Sequence, residues 1–560
     1  MRSLLSATMS AALISSAWTN LVPAAAATTP ATATPIQHLV VIFGENISFD
    51  HYFGTYPHAV NAPGQPRFSP SANTPATYGL NATTNPNNPS QTFSNLLTHN
   101  PNAQNPANSS CFGLSGGCNP FRLNRNQALT ADQNHNDGPE QESFNHGNMD
   151  LFPKYTGTAG GTPNLTPSIV NTTGQVMGYY DGNTVTALWN YAQHYAMNDN
   201  SYNTQFGPST PGAINVISGQ TNGIVAATQQ NGPSSSVVSD GQGSYTIIGD
   251  FDPKDDVCSN TGYHGDLAGK NIGDLLNAAN LTWGWFEGGF DLTVTNPNGT
   301  TGCNRSTVSP VTGLAEADYS AHHQPFQYYQ STKNPTHARP SSVSAIGTPD
   351  AANHQYDTHD FFDALNAGNL AAVNYLKAPR YQDAHPGNSN PLDEQNFNVT
   401  VINALQQSPF WSSTAVIIAY DDSDGWYDHQ PGPLVNGSFT ANDFLTATNT
   451  CGNSTGPSVT PVLAGPLSAG QPVQGRCGYG VRTPFVVISP WTKPNYIDHT
   501  VTDQASVVRF IEDNWLSSQR IGQGSMDAIA GPITNMFDFT GTAPKNVTTV
   551  ILSPITGLVQ

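Results

Sequence analysis

The sequence has few charged residues, and those it has are mostly acidic. Only 10% of its 560 residues are Asp, Glu, Lys or Arg, and 38 acidic against 18 basic residues give a formal net charge of −20. A nucleic-acid-binding protein needs a basic surface to neutralise phosphates, and no such surface is visible. The same acidity argues against adsorption to anionic membranes. We therefore expect no nucleic-acid partner.

Long apolar runs are also missing after the N-terminus. No later segment offers about 18 consecutive apolar residues, so no transmembrane segment is predicted. Residues 1–27 are predicted to be a signal peptide, because Arg2 precedes an apolar stretch at 4–18 and a small-residue cleavage zone at 24–27. Residues 28–35 form a Thr/Ala/Pro linker. These features predict a secreted or periplasmic protein, and they do not indicate its oligomeric state.

The six cysteines lack the Cys-x-x-Cys spacing that is typical of zinc and redox sites. In an exported protein, structural disulfides are the favoured interpretation. Several pairings are possible in principle. The simplest scheme joins nearest neighbours, namely Cys111 with Cys118, Cys258 with Cys303, and Cys451 with Cys477.

Two common hydrolase signatures are not supported either. The sequence contains no His-Glu-x-x-His, which the helical zinc proteases use. The pattern Gly-x-Ser-x-Gly of the serine esterases occurs at 113–117 and 452–456, but neither match follows the apolar strand that a serine esterase needs there. What it does contain is a regular alternation of predicted strands and helices. Such alternation predicts an α/β fold with a largely parallel sheet. Residues 56–130, which are rich in Asn, Pro and Ser, are predicted to be a loop-rich insertion.

The predicted elements follow from apolar runs and from helix caps. The predicted strands are 36–43, 281–285, 371–376, 415–420 and 484–489. The predicted helices are 184–196, 211–218, 272–280, 397–407 and 506–515.

Two of the predicted strands end in carboxylates. Glu45 and Asn46 follow the strand at 36–43, and Asp421 and Asp422 follow the strand at 415–420. Active sites of parallel sheets lie at the carboxyl ends of strands, and oxygen donors suit hard cations such as Mg²⁺, Ca²⁺ or Mn²⁺. The alternative is structural, because acidic strand-end turns and Glu-Asn pairs also cap helices.

A hydroxyl group precedes the predicted helix at 211–218. In the segment 206–212, Phe-Gly-Pro-Ser-Thr-Pro-Gly, Ser209 would lie in the positive field of the helix N-terminus. A bound cation would lower the pKa of that hydroxyl further. The alternative is an ordinary helix start, with Thr210 as the cap and Pro211 in the first turn.

Histidines recur next to these segments. They can hydrogen-bond phosphate oxygens or protonate a leaving group, although a single histidine is more often a structural hydrogen-bonding residue. The candidates are His135, His322, His323, His385 and His429.

In their order along the chain, these segments resemble the bacterial phospholipase C / acid phosphatase phosphoesterase family. The first block, 38–54, contains Glu45-Asn46, with Gly44 and Ile47 where the family usually has Gln and Arg. The resemblance extends over residues 36–541. Its further blocks are 132–135 with 145–150, 206–219, 319–326, 383–387, 419–429 and 480–490.

The resemblance implies a fold, a cation and a set of roles. The fold would be alkaline phosphatase-like, a largely parallel sheet sandwiched by helices, with a catalytic domain at 36–545 and a C-terminal tail at 546–560. Ser209 would be the nucleophile and a ligand of a divalent metal ion whose identity stays open. The other ligands would be Glu45, Asn46, Asp421 and Asp422, and the phosphate pocket would contain His135, His322, His323 and His385.

The resemblance also bears on the substrate. Ser within Gly-Pro-Ser-Thr-Pro-Gly is similar to the acid phosphatase branch, whereas the haemolytic phospholipase branch more often has Thr there. We therefore expect an exported metal-dependent acid phosphatase that acts on phosphate esters through a phosphoserine. The alternative is a phospholipase C that cleaves phosphatidylcholine-type phospholipids. A remote alternative is a non-catalytic exported binding protein.

Overall fold

The computed structural model describes residues 31–85, 88–92, 94–102, 118–161, 168–229, 236–260, 262–452 and 462–560. The predicted signal peptide at 1–27 lies outside the described residues. No helix within these ranges is long and apolar enough to cross a membrane.

An eight-stranded sheet forms the centre of the molecule. In chain order its strands are β1 (His38–Gly44), β2 (Ala196–Asn198), β3 (Trp283–Glu287), β4 (Gln355–Asp357), β5 (Val373–Lys377), β6 (Thr414–Tyr420), β7 (Phe485–Ile488) and β8 (Tyr496–Asp498). Their order across the sheet is β4-β3-β5-β1-β6-β7-β2-β8. Only β7 pairs antiparallel with its two neighbours in this sheet, so the predicted largely parallel α/β sheet is confirmed.

Strand β1 lies between β5 and β6, and both of its faces are covered. Val40 and Ile42 pack into one hydrophobic cluster, while Leu39 and Val41 pack into another on the opposite face. A strand buried on both faces has a continuous apolar sequence rather than an alternating one, as β1 does. Because of this burial, β1 lies in the middle of the sheet. Glu45, the residue after Gly44, therefore lies at the carboxyl end of a central strand.

Helices cover both faces of the sheet. They are α1 (Phe49–Phe53), α2 (Asp137–Ser143), α3 (Phe152–Tyr155), α4 (Thr186–His194), α5 (Ser209–Ser218), α6 (Ile272–Ala278), α7 (Thr358–Asn366), α8 (Pro391–Gln406) and α9 (Ala505–Trp515). Helices α4, α7 and α8 contribute to the cluster that contains Val40. Helices α5, α6 and α9 contribute to the cluster that contains Leu39. The predicted sandwich of helices around the sheet is therefore present.

Several predicted elements differ in detail from the observed ones. Helix α5 begins at Ser209 with Pro208 as its N-cap residue, so the prediction that Thr210 caps this helix was wrong. The predicted strand at 484–489 exists as β7, but it runs antiparallel. Strands β2, β4 and β8 have three residues each, too few to give a pattern that sequence could reveal.

Smaller β elements surround the sheet. They are Thr84–Asn85 with Asn88–Thr92, Phe121–Arg122 with Gly178–Tyr179, Ser201–Tyr202 with Thr502–Asp503, Val237–Ser239 with Tyr245–Ile247, Ser306–Val308 with Ala315–Ala317, and the group Ile224–Gln229, Asp252–Pro253 and Tyr263–Leu267. The described part of the predicted insertion at 56–130 contains short strands of this kind and a 3₁₀ helix at Arg125–Gln127.

Two of the three predicted disulfides are present, Cys258–Cys303 and Cys451–Cys477. For the third, Cys118 is buried, and its predicted partner Cys111 lies outside the described residues. The segment predicted as a C-terminal tail packs on α8, where the Val550 backbone N–H donates to Gln406 Oε1 over 2.6 Å.

Candidate active site

The parallel pairing of β1 with β6 brings their carboxyl ends together. Gly44 lies opposite Tyr420 in the register, so Glu45 and Asp421 follow at the same edge of the sheet. Asn46 has a left-handed backbone (φ 61°), and its N–H donates to Asp421 Oδ1 over 3.0 Å. Glu45, Asn46, Asp421 and Asp422 are all at most 1% exposed. The two predicted ligand pairs therefore lie in one buried cluster.

Ser209 lies in the same cluster. Its Oγ donates to Glu45 Oε2 over 3.0 Å and to Asp422 Oδ2 over 3.3 Å. The helix that carries it approaches β6 closely at Gly212, where a Cβ would lie 2.1 Å from the carbonyl oxygen of Asp421. Glycine at this position therefore lets the N-terminus of α5 approach the loop that contains Asp421 and Asp422.

The buried donor set fits a divalent cation. Asn46 Oδ1 and Asp421 Oδ2 are buried and have no hydrogen-bond partner among the described residues. Burial raises the pKa of Asp421, and the adjacent Glu45 carboxylate raises it further. Burial and the charge of Asp421 raise the pKa of Asp422 in the same way. Crowded carboxylates with unpaired oxygens are what a hard cation relieves, because it prefers oxygen ligands.

Lys377 is a member of the cluster that the sequence analysis missed. It ends β5, the other neighbour of β1, and its buried ammonium group contacts Glu45 Oε1 and lies 3.7 Å from Asp421 Oδ2. Burial alone would lower the pKa of Lys377, but the charges of Glu45 and Asp421 outweigh it and raise that pKa. The sequence did contain a signal for Lys377, because it is a polar residue at the end of a buried strand. The same feature identified Glu45 and Asp421.

The adjacent histidines His322 and His323 form one wall of the site. His323 is buried with its Nδ1 3.2 Å from Glu45 Oε1, and burial together with the charge of His322 lowers its pKa well below the usual value. His322 Nδ1 lies 3.4 Å from Asp252 Oδ1, and its Nε2 lies 4.0 Å from Asp250 Oδ2. Burial opposes the charged form of His322, but Asp250 and Asp252 outweigh it and raise its pKa to about 9.

His135 and His385 line the mouth of the site. A cavity of about 330 Å³ opens next to Pro208, and both histidines contribute to its wall. His135 Nδ1 is 2.9 Å from the Gln133 carbonyl, and His385 Nδ1 is 2.6 Å from the Pro386 carbonyl. Each ring is oriented through Nδ1, so its Nε2 stays available for a bound group.

His429 is placed elsewhere. Its Nδ1 lies 2.6 Å from Asp50 Oδ2, and Arg482 contacts the other oxygen of Asp50. It lines a separate cavity of about 460 Å³ together with Tyr78 and Tyr427. His429 therefore belongs to a buried ion-pair network, whereas the other four candidate histidines surround the cluster or its mouth.

Replacing Lys377 tests whether its positive charge offsets the negative charge of the buried carboxylates. Lys377→Met should lower the free energy of unfolding by about 3–5 kcal/mol in the presence of EDTA, because Glu45 would become an uncompensated buried charge. Adding a divalent cation should restore part of the loss, since it binds only the folded chain. Urea unfolding measures both effects.

The matched control is Lys545→Met. Lys545 pairs with Asp538 at the surface, where removing one partner changes stability little. If Lys377→Met unfolded at the same urea concentration as this control, Lys377 would not be balancing the cluster.

Comparison with known proteins gives the family. The Phosphoesterase family matches residues 36–516. A non-hemolytic phospholipase C of Pseudomonas aeruginosa is 30% identical over 184 residues, which are 32% of this chain and 25% of that protein. Phospholipase C A of Mycobacterium tuberculosis is 27% identical over 199 residues, 35% of each protein. The matches thus span a quarter to about a third of these relatives.

A solved structure, a protein in the alkaline phosphatase superfamily from Vibrio parahaemolyticus, aligns with 78% of this chain and 74% of its own, at 11% identity and a TM-score of 0.24. The α/β fold is assigned from the eight-stranded sheet and not from this structural similarity. The family match covers most of the chain and includes Glu45, Ser209 and Asp422. The chain therefore belongs to the Phosphoesterase family, a family of hydrolases that act on phosphoric ester bonds.

Proposed function

We propose that the protein is an exported, metal-dependent phosphomonoesterase that acts through a phosphoserine at Ser209. One observation carries the proposal. Ser209 Oγ lies at the N-terminus of α5 and donates to Glu45 and Asp422, two residues of a buried oxygen-donor cluster. A hydroxyl so placed has proton acceptors at hydrogen-bond distance and a helix field that favours a bound phosphoryl group.

The chain's residues divide the reaction between them. Glu45, Asn46, Ser209, Asp421 and Asp422 would hold a divalent cation, which supplies Lewis-acid stabilisation of negative charge on the attacking and phosphoryl oxygens. Ser209 Oγ gives its proton to the adjacent carboxylates and attacks phosphorus. The P–O bond to the alcohol breaks as the Ser209–phosphate bond forms, and water later hydrolyses the phosphoserine.

His322 is the histidine whose protonation state best suits a proton donor to the departing alcohol. Asp250 and Asp252 raise its pKa to about 9, so it stays protonated at acidic and neutral pH. His323 has a lowered pKa and contacts Glu45, which suits a neutral hydrogen-bonding role. His135 and His385, at the mouth, are positioned to contact phosphate oxygens.

The lining of the mouth favours a small polar substrate. Besides the two histidines and Pro208, the described lining consists of Asp, Asn, Gln and Thr side chains. Binding of a quaternary ammonium headgroup uses an aromatic cage. The aromatic residues that could have formed one, Trp283, Trp285, Trp426 and Tyr319, are buried in the core. Phospholipid hydrolysis is the second candidate, because the relatives reported above are phospholipases C.

Removing the nucleophile tests the mechanism. Ser209→Ala should lower kcat on p-nitrophenyl phosphate by at least about 10³-fold, since a covalent nucleophile has no substitute in the cluster. EDTA should abolish turnover of the wild-type protein, and a divalent cation should restore it. Ser218→Ala, at the other end of α5, is the control and should keep normal turnover. Near-wild-type turnover of Ser209→Ala would refute the covalent mechanism.

The substrate class is tested by direct comparison. We expect kcat/KM for p-nitrophenyl phosphate to exceed that for phosphatidylcholine in mixed micelles by at least about 10²-fold, because no Trp, Tyr or Phe is among the described residues that line the mouth. Phosphate and phosphocholine release are measured separately. A preference for the lipid would establish the phospholipase C alternative instead.

The role of His322 predicts a shift in the pH profile. Asp252 helps to raise the pKa of His322, so Asp252→Asn should lower that pKa. The proton donor would then be lost at a lower pH, and the alkaline limb of the kcat profile should move towards neutrality. Asp350→Asn, a replacement of an acid that binds Ser341, is the control. An unmoved alkaline limb would mean that another group protonates the alcohol.

A further inference from the structure

Glu140 is a buried carboxylate that touches two separate segments of the chain. It lies in α2, it is 0% exposed, and its two oxygens accept hydrogen bonds from different partners. Ser423 Oγ donates to Oε1 over 2.5 Å, and the Gly207 backbone N–H donates to Oε2 over 3.1 Å. The carboxylate therefore bridges segments that are more than two hundred residues apart in sequence.

These two segments carry the two halves of the reaction centre. Gly207 lies two residues before Ser209 in the turn that leads into α5, and Ser423 directly follows Asp422. The turn is not an ordinary one, because Gly207 has a φ of +115° and a Cβ there would lie 2.6 Å from the Ile248 carbonyl oxygen. Its N–H is held by Glu140, which helps to fix the direction in which the turn presents Ser209.

The other end of the bridge is equally specific. Ser423 Oγ also accepts from the Gly425 N–H over 2.9 Å, so one hydroxyl connects Glu140 with the loop that follows the ligands. Burying a carboxylate is unfavourable unless its oxygens are paired. Here both oxygens are paired with donors, and neither donor is a basic side chain. A carboxylate bonded in this way is suited to fixing the distance between the segments of Gly207 and Ser423 rather than to neutralising a positive charge.

We propose that Glu140 is a positioning residue that fixes the separation of Ser209 from Asp422 by bridging Gly207 and Ser423. This inference rests on the proposed function, because it assumes that Ser209 is the reacting group. Small displacements of a reacting atom are costly, since a shift of about 1 Å can reduce a rate about 10²-fold. Loss of the bridge should therefore lower kcat while leaving substrate binding largely intact.

The test compares Glu140→Ala, Glu140→Gln and Ser423→Ala on p-nitrophenyl phosphate. Glu140→Ala should lower kcat about 10²-fold and change KM by less than about threefold. Glu140→Gln should recover at least about tenfold of that loss, because its amide oxygen can accept from Gly207 and its NH₂ can donate to Ser423. Ser423→Ala, which removes one of the two bonds, should lie between them and keeps the test open if Glu140→Ala does not fold.

A second measurement separates positioning from a general loss of structure. Mn²⁺ affinity, measured by calorimetry, should fall by no more than about 10²-fold in all three variants, because every ligand side chain is retained and Glu140 acts only behind the ligands. Asp240→Ala is the matched control. Asp240 is also 0% exposed and accepts from the Gln242 and Ser244 N–H groups, but it contacts neither segment of the reaction centre. It should lower the thermal midpoint without lowering kcat.

The outcomes distinguish this inference from the proposed function. If Ser209→Ala is inactive while Glu140→Ala keeps kcat within about threefold of wild type, only the positioning role is overturned. The role is also overturned if Glu140→Gln is as impaired as Glu140→Ala, or if Asp240→Ala lowers kcat to the same extent. If Ser209→Ala itself keeps full turnover, the proposed covalent mechanism fails regardless of Glu140.

Discussion

The parallel pairing of β1 with β6 is the constraint on which the site depends. Because Gly44 lies opposite Tyr420, the residues that follow these strands, Glu45 and Asp421, leave the sheet side by side. Parallel strands that are buried on both faces cannot slip without exposing apolar side chains, so this register is strongly fixed. The positions of the carboxylates are thereby set by the packing of the sheet rather than by loop conformation.

Concentrating carboxylates in a buried place has an electrostatic cost, and the structure offsets it in two ways. Lys377 supplies a fixed positive charge from the strand on the other side of β1, in contact with Glu45. Asn46 Oδ1 and Asp421 Oδ2 still have no hydrogen-bond partner among the described residues, and a divalent cation would satisfy them. Around this cluster lie four of the candidate histidines and Glu140, which bridges Gly207, two residues before Ser209, to Ser423, directly after Asp422.

The curated relatives and the cavity give different information about the substrate. The relatives are phospholipases C, but the matches cover only a quarter to about a third of their lengths. The described lining of the mouth beside Pro208 is otherwise polar, and Trp283, Trp285 and Trp426 are buried in the core. In the proposed function, family membership indicates a phosphoric ester bond as the target, and the polar mouth is what favours a small phosphomonoester over a phospholipid.

The sequence by itself determined the α/β class and the strands β1, β5 and β6, because apolar runs are local patterns. It also predicted a site at Glu45, Ser209 and Asp422, and the fold brings these three residues into one buried cluster. It could not determine the three-residue strands, the antiparallel direction of β7, or the start of α5 at Ser209, since these depend on partners distant in the chain. The contacts of Lys377 and Glu140 were decided only by the tertiary structure. Lys377 shares with Glu45 a place at the end of a buried strand, but that place does not reveal its partners. Glu140 has no local signature, and its meaning comes from the groups that the fold brings within hydrogen-bond distance of it.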